Sequence, residues 1–67
     1  MGEFLLYGLD RNGVVRGSER LVDIAQADAA RIASDWLGTY ETVEVWEGPV
    51  RVLTLDRRTH APDGETP

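Results

Sequence analysis

The chain has 67 residues, a net charge of −5 from twelve acidic and seven basic residues, and no cysteine. A chain of this length forms one domain of marginal stability, and such domains often gain stability by self-association. The missing cysteines exclude disulfides and thiolate metal sites, and the acidic charge argues against general nucleic-acid binding. No apolar run approaches the ~18 residues of a membrane span. The N-terminus lacks the basic segment of a signal peptide, so we expect a cytoplasmic location.

The first hairpin is predicted within residues 4–24. Residues 4–9 form a short apolar run, and four turn residues follow it, from Asp10 to Gly13. The Asp10 carboxylate can accept from the turn backbone, and Gly13 can adopt a positive φ without strain. The return strand is interrupted at Gly17-Ser18 and is polar in its middle. These features favour a long, bent strand at the edge of a sheet.

Residues 26–40 contain the predicted helix, which spans about 11–13 residues. The apolar positions follow a 3.6-residue period and are Ala29, Ile32, Ala33, Trp36 and Leu37. Asp28 is expected to accept from free backbone N–H groups in the first turn, and Gly38 is expected to end the helix. The small alanines predict a helix that lies close against a sheet.

A second hairpin is predicted after the helix. Residues 42–47 alternate with a period of two, Gly48-Pro49 makes a two-residue turn, and residues 50–56 return. One face of this hairpin then carries Val43, Val45, Val50 and Val52. The other face carries Thr42, Glu44, Trp46, Arg51, Leu53 and Leu55. A three-residue turn would shift the register by one residue and reverse the faces of one strand.

The order β-β-α-β-β predicts an α+β fold. We expect a two-layer sandwich, in which one helix covers one face of a four-stranded, mostly antiparallel sheet. Residues 1–56 form this single domain. Residues 57–67 contain two prolines and one glycine without a hydrophobic period, and they predict a disordered tail.

The sheet face without the helix is the predicted binding surface. The first strand is apolar on both sides, so we expect both sides to be covered. With the valine face against the helix, the predicted interface residues are Tyr7, Glu44, Trp46, Arg51, Leu53 and Leu55. A contiguous apolar patch with a charged rim usually marks an interface. We therefore predict that this face binds a second copy of the chain or a small protein partner.

An alternative places Trp46 at the end of the sheet, partly exposed. Its ring would then stack on the guanidinium of Arg51 in a cation–π pair. The two interpretations differ in whether protein covers Trp46.

Residues that carry chemistry are few and scattered. His60 is the one histidine and lies in the predicted tail, while Ser18 and Ser34 have no base nearby in sequence. We predict no catalytic residue, metal site, cofactor or small-molecule substrate, and therefore no enzymatic activity.

A set of arginines supplies the alternative function. Five of them would form a positive strip if the hairpin ends were adjacent: Arg16, Arg20, Arg51, Arg57 and Arg58. With Trp46 nearby, such a strip is typical of a sheet that stacks nucleic-acid bases. The net charge of −5 and the absence of lysine argue against this hypothesis.

Three motifs within residues 4–56 suggest a group of related proteins. Residues 7–13 read Tyr-x-Leu-Asp-x-x-Gly, residues 28–30 are Asp-Ala-Ala in an alanine-rich helix, and residues 43–48 read Val-Glu-Val-Trp-Glu-Gly. Together they resemble short uncharacterised alphaproteobacterial proteins. The resemblance implies a bacterial, cytoplasmic ββαββ domain, and it assigns no activity to any residue.

Overall fold

Two hairpins and one helix form where the turn signals predict them. The strands are β1 (Gly2–Leu9), β2 (Val15–Ile24), β3 (Thr42–Glu47) and β4 (Val50–Asp56), and the helix is α1 (Gln26–Trp36). The computed structural model describes residues 2–58. All strand pairs are antiparallel, in the order β2-β1-β3-β4. The predicted α+β fold with its β-β-α-β-β order is confirmed.

The first turn has the predicted chemistry. Asp10 Oδ1 accepts from the backbone N–H groups of Asn12 at 2.9 Å and Val14 at 3.0 Å. Gly13 has a φ of +80°, which glycine adopts without steric cost. These bonds lower the pKa of Asp10 below its usual range, with the Val14 N–H as the largest cause.

The helix covers the two central strands. Its buried side chains Ala29 and Ala33 meet β1 and β3, and Leu37, the residue after the helix, belongs to the same core. Ile32 and Trp36 pack at the margin. The fully buried side chains across the sheet include Leu6, Val43 and Val45. The predicted apolar face of the helix is confirmed, and small alanines bring its axis close to the sheet.

The helix has 11 residues, within the predicted length, but the chemistry of its two ends differs from the prediction. Ala25 is the N-cap and makes no side-chain capping bond, while Asp28 pairs with Arg31 at 3.1 Å. The helix ends at Trp36, and Gly38 does not adopt a positive φ. Instead, Arg57 donates to the carbonyl oxygens of Leu37 at 3.0 Å and Tyr40 at 3.1 Å. A guanidinium from the end of β4 therefore satisfies carbonyls at the negative end of the helix.

This contact brings Arg57 into the folded unit. Its backbone N–H also donates to the carbonyl oxygen of Glu41 at 2.9 Å. Arg57 was expected to begin the disordered tail, and the folded unit continues at least to this residue. The prediction for residues 59–67, including His60, lies outside the described residues.

Two glycines form a slot for one aromatic ring. Gly8 and Gly17 are cross-strand partners on β1 and β2, and Tyr40 lies over both. A Cβ on Gly8 would lie 2.5 Å from ring atoms of Tyr40. Gly17 does not interrupt β2, as the sequence suggested, but lets Tyr40 approach the sheet. The adjacent irregularity falls at Arg16, between the Gly8–Gly17 and Leu9–Val15 pairs.

The second hairpin has the predicted turn and a different register beyond it. Glu47 pairs with Val50 and Trp46 with Arg51, and Gly48 has the positive φ expected at the first turn position. A β-bulge at Val52 then moves Val45 opposite Leu53. One extra residue reverses the faces of the rest of β4.

The bulge corrects two predicted interface residues. Leu53 and Leu55 pair with the buried Val45 and Val43, so both point toward the helix and pack against the core. Val50, which was expected to face the helix, is instead exposed at the hairpin end. The placement of Leu53 and Leu55 on the open face was wrong, because the two-residue turn alone does not fix the register past a bulge.

Candidate functional site

The sheet face opposite the helix is the candidate site. Strand alternation and the cross-strand pairs define it, since paired residues share a face. We call it the open face, and its central residues are Leu5, Tyr7, Leu9, Ser18, Arg20, Thr42, Glu44, Trp46, Arg51 and Thr54.

The middle of the open face is apolar. β1 contributes Leu5, Tyr7 and Leu9, and each is only half-buried although β1 is a central strand. Trp46 on β3 lies opposite Leu5 and is also half-buried. These four side chains form one continuous patch. Val15, opposite Leu9 on β2, extends it to the sheet edge and is 52% exposed.

A carboxylate organises one side of this patch. Glu44 accepts from the indole Nε1 of Trp46 at 3.0 Å and from Arg51 at 3.4 Å. All three side chains lie on the open face, and Arg51 is the cross-strand partner of Trp46. Trp46 and Arg51 are thus linked through Glu44. The indole is oriented along its own strand, with its polar atom satisfied and its ring carbons left for contact.

The predicted interface residues divide into two groups. Tyr7, Glu44, Trp46 and Arg51 are brought together on the open face, and Tyr7 is the cross-strand partner of Glu44. Leu53 and Leu55 lie on the other side of the sheet. Leu5 and Leu9 were not predicted as interface residues, although the alternation along β1 places them on the same face as Tyr7.

The five arginines of the predicted strip do not form one surface. Arg20 and Arg51 lie in the row of the sheet that contains Trp46, whereas Arg57 lies at the opposite end and reaches the helix terminus. Arg16 forms a salt bridge with Asp10, and Arg20 forms one with Glu3. Carboxylates therefore neutralise much of the charge that phosphate binding would need.

A shallow depression of about 340 Å³ opens beside Leu5. Glu3, Leu5, Glu47 and Gly48 line it, at the end of the sheet near the second hairpin turn. Within residues 2–58, no three His, Cys, Asp or Glu side chains are grouped so that they could hold a metal ion. The open face therefore presents an apolar patch, and the charged side chains beside it form ion pairs.

Comparison with known proteins gives no family for the chain. No protein-family model, curated protein or solved structure matches it. No helix in the described part of the chain is long and apolar enough to cross a membrane.

Proposed function

We propose that the chain is a non-enzymatic interaction domain that binds protein through its open face. The observation that carries this proposal is that β1 is apolar on both sides while α1 covers only one. Phe4 and Leu6 are buried under the helix, and Leu5 and Tyr7 occupy the alternate positions. An antiparallel sheet with a solvated face normally alternates apolar and polar residues.

The composition of the open face supports protein as the ligand. Tyr7 and Trp46 are residue types enriched at protein interfaces, because each presents a rigid apolar body with a polar tip. Arg51 and Glu44 form a polar rim beside them. A central aromatic patch within a polar rim is the usual organisation of a protein contact.

Size-exclusion chromatography of an extract from the cells that make the protein tests this proposal. Wild type should elute as a species larger than its 7.4 kDa mass, and Trp46→Glu should elute as the free chain. Leu5→Glu should behave like Trp46→Glu, since Leu5 is the neighbour of Trp46 on the same face. Asp35→Lys is the matched control, because Asp35 is exposed on the helix.

The folded state of each variant is checked by circular dichroism before its size is interpreted. If wild type elutes as the free 7.4 kDa chain both in the extract and after purification and concentration, the open face binds no protein and the proposal is wrong.

A further inference from the structure

We infer that Asn12 is a site of spontaneous deamidation in the first turn, and that Asp10 slows this reaction by holding the turn closed. The reaction converts an asparagine to aspartate or isoaspartate and needs no enzyme. The inference goes beyond the proposed function, because the turn joins β1 to β2 and carries none of the aromatic side chains of the open face.

Asn12 and Gly13 supply the two groups that the reaction needs. Asn12 is the one asparagine of the chain, its side chain is exposed, and Gly13 follows it directly. The nucleophile is the backbone nitrogen of the residue after the asparagine, and a side chain on that residue would hinder its approach. A Cβ on Gly13 would meet no atom within 4 Å in the described part of the chain, beyond its chain neighbours. The site is therefore sterically open and accessible to water.

The chemical step is an acyl transfer within the chain. The Gly13 nitrogen loses its proton to water and bonds to Cγ of Asn12, and the bond from Cγ to the amide nitrogen breaks. That nitrogen takes up a proton and leaves as ammonia. Water then opens the cyclic imide at one of its two carbonyl carbons, which gives aspartate or isoaspartate. Nothing is oxidised or reduced, and water is the co-reactant.

The folded turn restrains the attacking nitrogen. The Gly13 N–H donates to the carbonyl oxygen of Asp10 at 2.9 Å, so the proton that must leave is engaged in a hydrogen bond. This bond also fixes the orientation of the peptide group between Asn12 and Gly13. It must therefore break before the nitrogen can reach Cγ, and the rate depends on how often the turn opens.

Asp10 closes the turn with both its backbone and its side chain. Its Oδ1 accepts from the N–H of Asn12 at 2.9 Å and from that of Val14 at 3.0 Å, on either side of Gly13. The Asp10 N–H donates to the carbonyl oxygen of Val14 at 3.0 Å. Arg16 Nε holds the other carboxylate oxygen at 3.0 Å. Without this carboxylate, the Gly13 bond loses the two bonds that flank it, and the turn opens more often.

Deamidation should prevent the turn from closing again. Both products place a second carboxylate two residues from Asp10, and like charges at this separation repel each other. Isoaspartate also lengthens the backbone by one carbon, so the N–H groups around Gly13 no longer converge on Asp10. The modified chain carries one more negative charge than the −5 of the original chain.

Timed incubation of the purified full chain at mildly alkaline pH measures the rate. Isoelectric focusing detects the new charge, and trypsin, which cuts after Arg11 and Arg16, releases residues 12–16 as one peptide for mass spectrometry. Asp10→Ala should react at least about fivefold faster than wild type, which is the effect of one hydrogen bond on an opening equilibrium. Asp10→Ser should lie between them, because a hydroxyl group makes the same turn bonds more weakly.

Phe4→Leu is the control for unfolding of the whole domain. Phe4 is buried on β1, at the end of the strand away from the turn. This substitution lowers the free energy of unfolding and leaves the turn bonds in place. Urea titration measures that loss for each variant, and Asp10→Ala should accelerate deamidation more than Phe4→Leu does for the same loss. Circular dichroism shows that each variant is folded, and Asp10→Ser carries the comparison if Asp10→Ala is not.

Wild type unfolded in urea gives the rate for an open turn, and it should react faster than the folded chain. An unfolded chain that keeps its amide would show that Asn12 is not a reactive site. A folded wild type that reacts as fast as the unfolded chain would show that the turn gives no protection. Asp10 variants that react no faster than wild type, or no faster than Phe4→Leu at equal stability, would overturn the role of Asp10.

Discussion

The indole N–H of Trp46 donates to Glu44, two residues earlier on the same strand, at 3.0 Å. The same carboxylate also accepts from Arg51 at 3.4 Å. The Glu44 carboxylate therefore holds both the indole of Trp46 and the guanidinium of Arg51 in position on the open face. An aromatic residue that is already oriented loses less conformational entropy when a partner covers it.

Removing this carboxylate should release the indole. In a Trp36→Phe background, Glu44→Ala should increase the fast component of the fluorescence anisotropy decay of Trp46 in a dilute solution of the purified protein. We expect a loss of about 1 kcal/mol in the free energy of unfolding, because one partly exposed ion pair and one hydrogen bond disappear. Thr54→Ala is the control, since Thr54 is the exposed cross-strand partner of Glu44. An unchanged anisotropy decay would show that Glu44 does not hold the ring.

The slot beneath Tyr40 should not tolerate a methyl group. Gly8→Ala would place a Cβ 2.5 Å from the ring, so the ring must move. We expect a loss of about 1–3 kcal/mol, measured from the urea dependence of unfolding. Adding Tyr40→Leu should make the combined loss smaller than the sum of the two single losses. Simple additivity would mean that the two sites do not contact each other.

Arg57 should stabilise the helix from outside it. Arg57→Ala removes the donors to the carbonyl oxygens of Leu37 and Tyr40, and we expect a loss of about 1–2 kcal/mol. Arg57→Lys should recover only part of it, because an ammonium cannot reproduce the planar fork of a guanidinium. The neighbouring Arg58→Ala serves as the control. Thermal unfolding measures all three, and equal losses for Arg57→Ala and Arg58→Ala would contradict this role.

The first turn should make stability depend on pH. The backbone N–H of Val14 lowers the pKa of Asp10 most, partial burial opposes it, and the Asn12 N–H and Arg16 add to the lowering. A carboxyl group with a lowered pKa in the folded state stabilises folding above its unfolded pKa of about 3.9. This contribution is lost as the pH falls through the folded-state value.

The Asp10→Ala variant isolates that contribution. The difference in unfolding free energy between wild type and Asp10→Ala should be constant near neutral pH and should shrink as the pH falls below about 4. Asn12→Ala alters the same turn without removing a titratable group, so its difference from wild type should not shrink in this way. A constant difference for Asp10→Ala down to the acid transition would contradict the lowered pKa.

The sequence alone predicted the strands, the turns and the helix, because local chemistry determines them. The Asp10–Gly13 turn, the 3.6-residue period of α1 and the Gly48-Pro49 turn each depend on residues close together in the chain. The core followed from the same periodicities, since Ala29, Ala33, Val43 and Val45 lie where alternation and helical spacing put them.

The errors arose where distant parts of the chain meet. The bulge at Val52 is not announced by glycine or by a break in the apolar pattern, because valine and leucine occupy successive positions there. Likewise, the role of Gly17 is visible only when Tyr40 is placed over it. The role of Arg57 is visible only when the helix terminus is placed near the end of β4. The site was predicted in part, since Trp46, Glu44, Arg51 and Tyr7 share the open face and the two leucines of β4 do not.

Photo-cross-linking from the open face shows whether protein covers this face in the cell. A benzoylphenylalanine replaces Tyr7 in one variant and Asp35 in the other, and both are irradiated in the cells that naturally make the protein. We expect a covalent adduct of defined mass from position 7 and none from position 35, and an adduct of twice the chain mass identifies a second copy. An absence of adduct at position 7, or an equal pattern from both positions, would contradict the claim that the open face is a protein-binding surface.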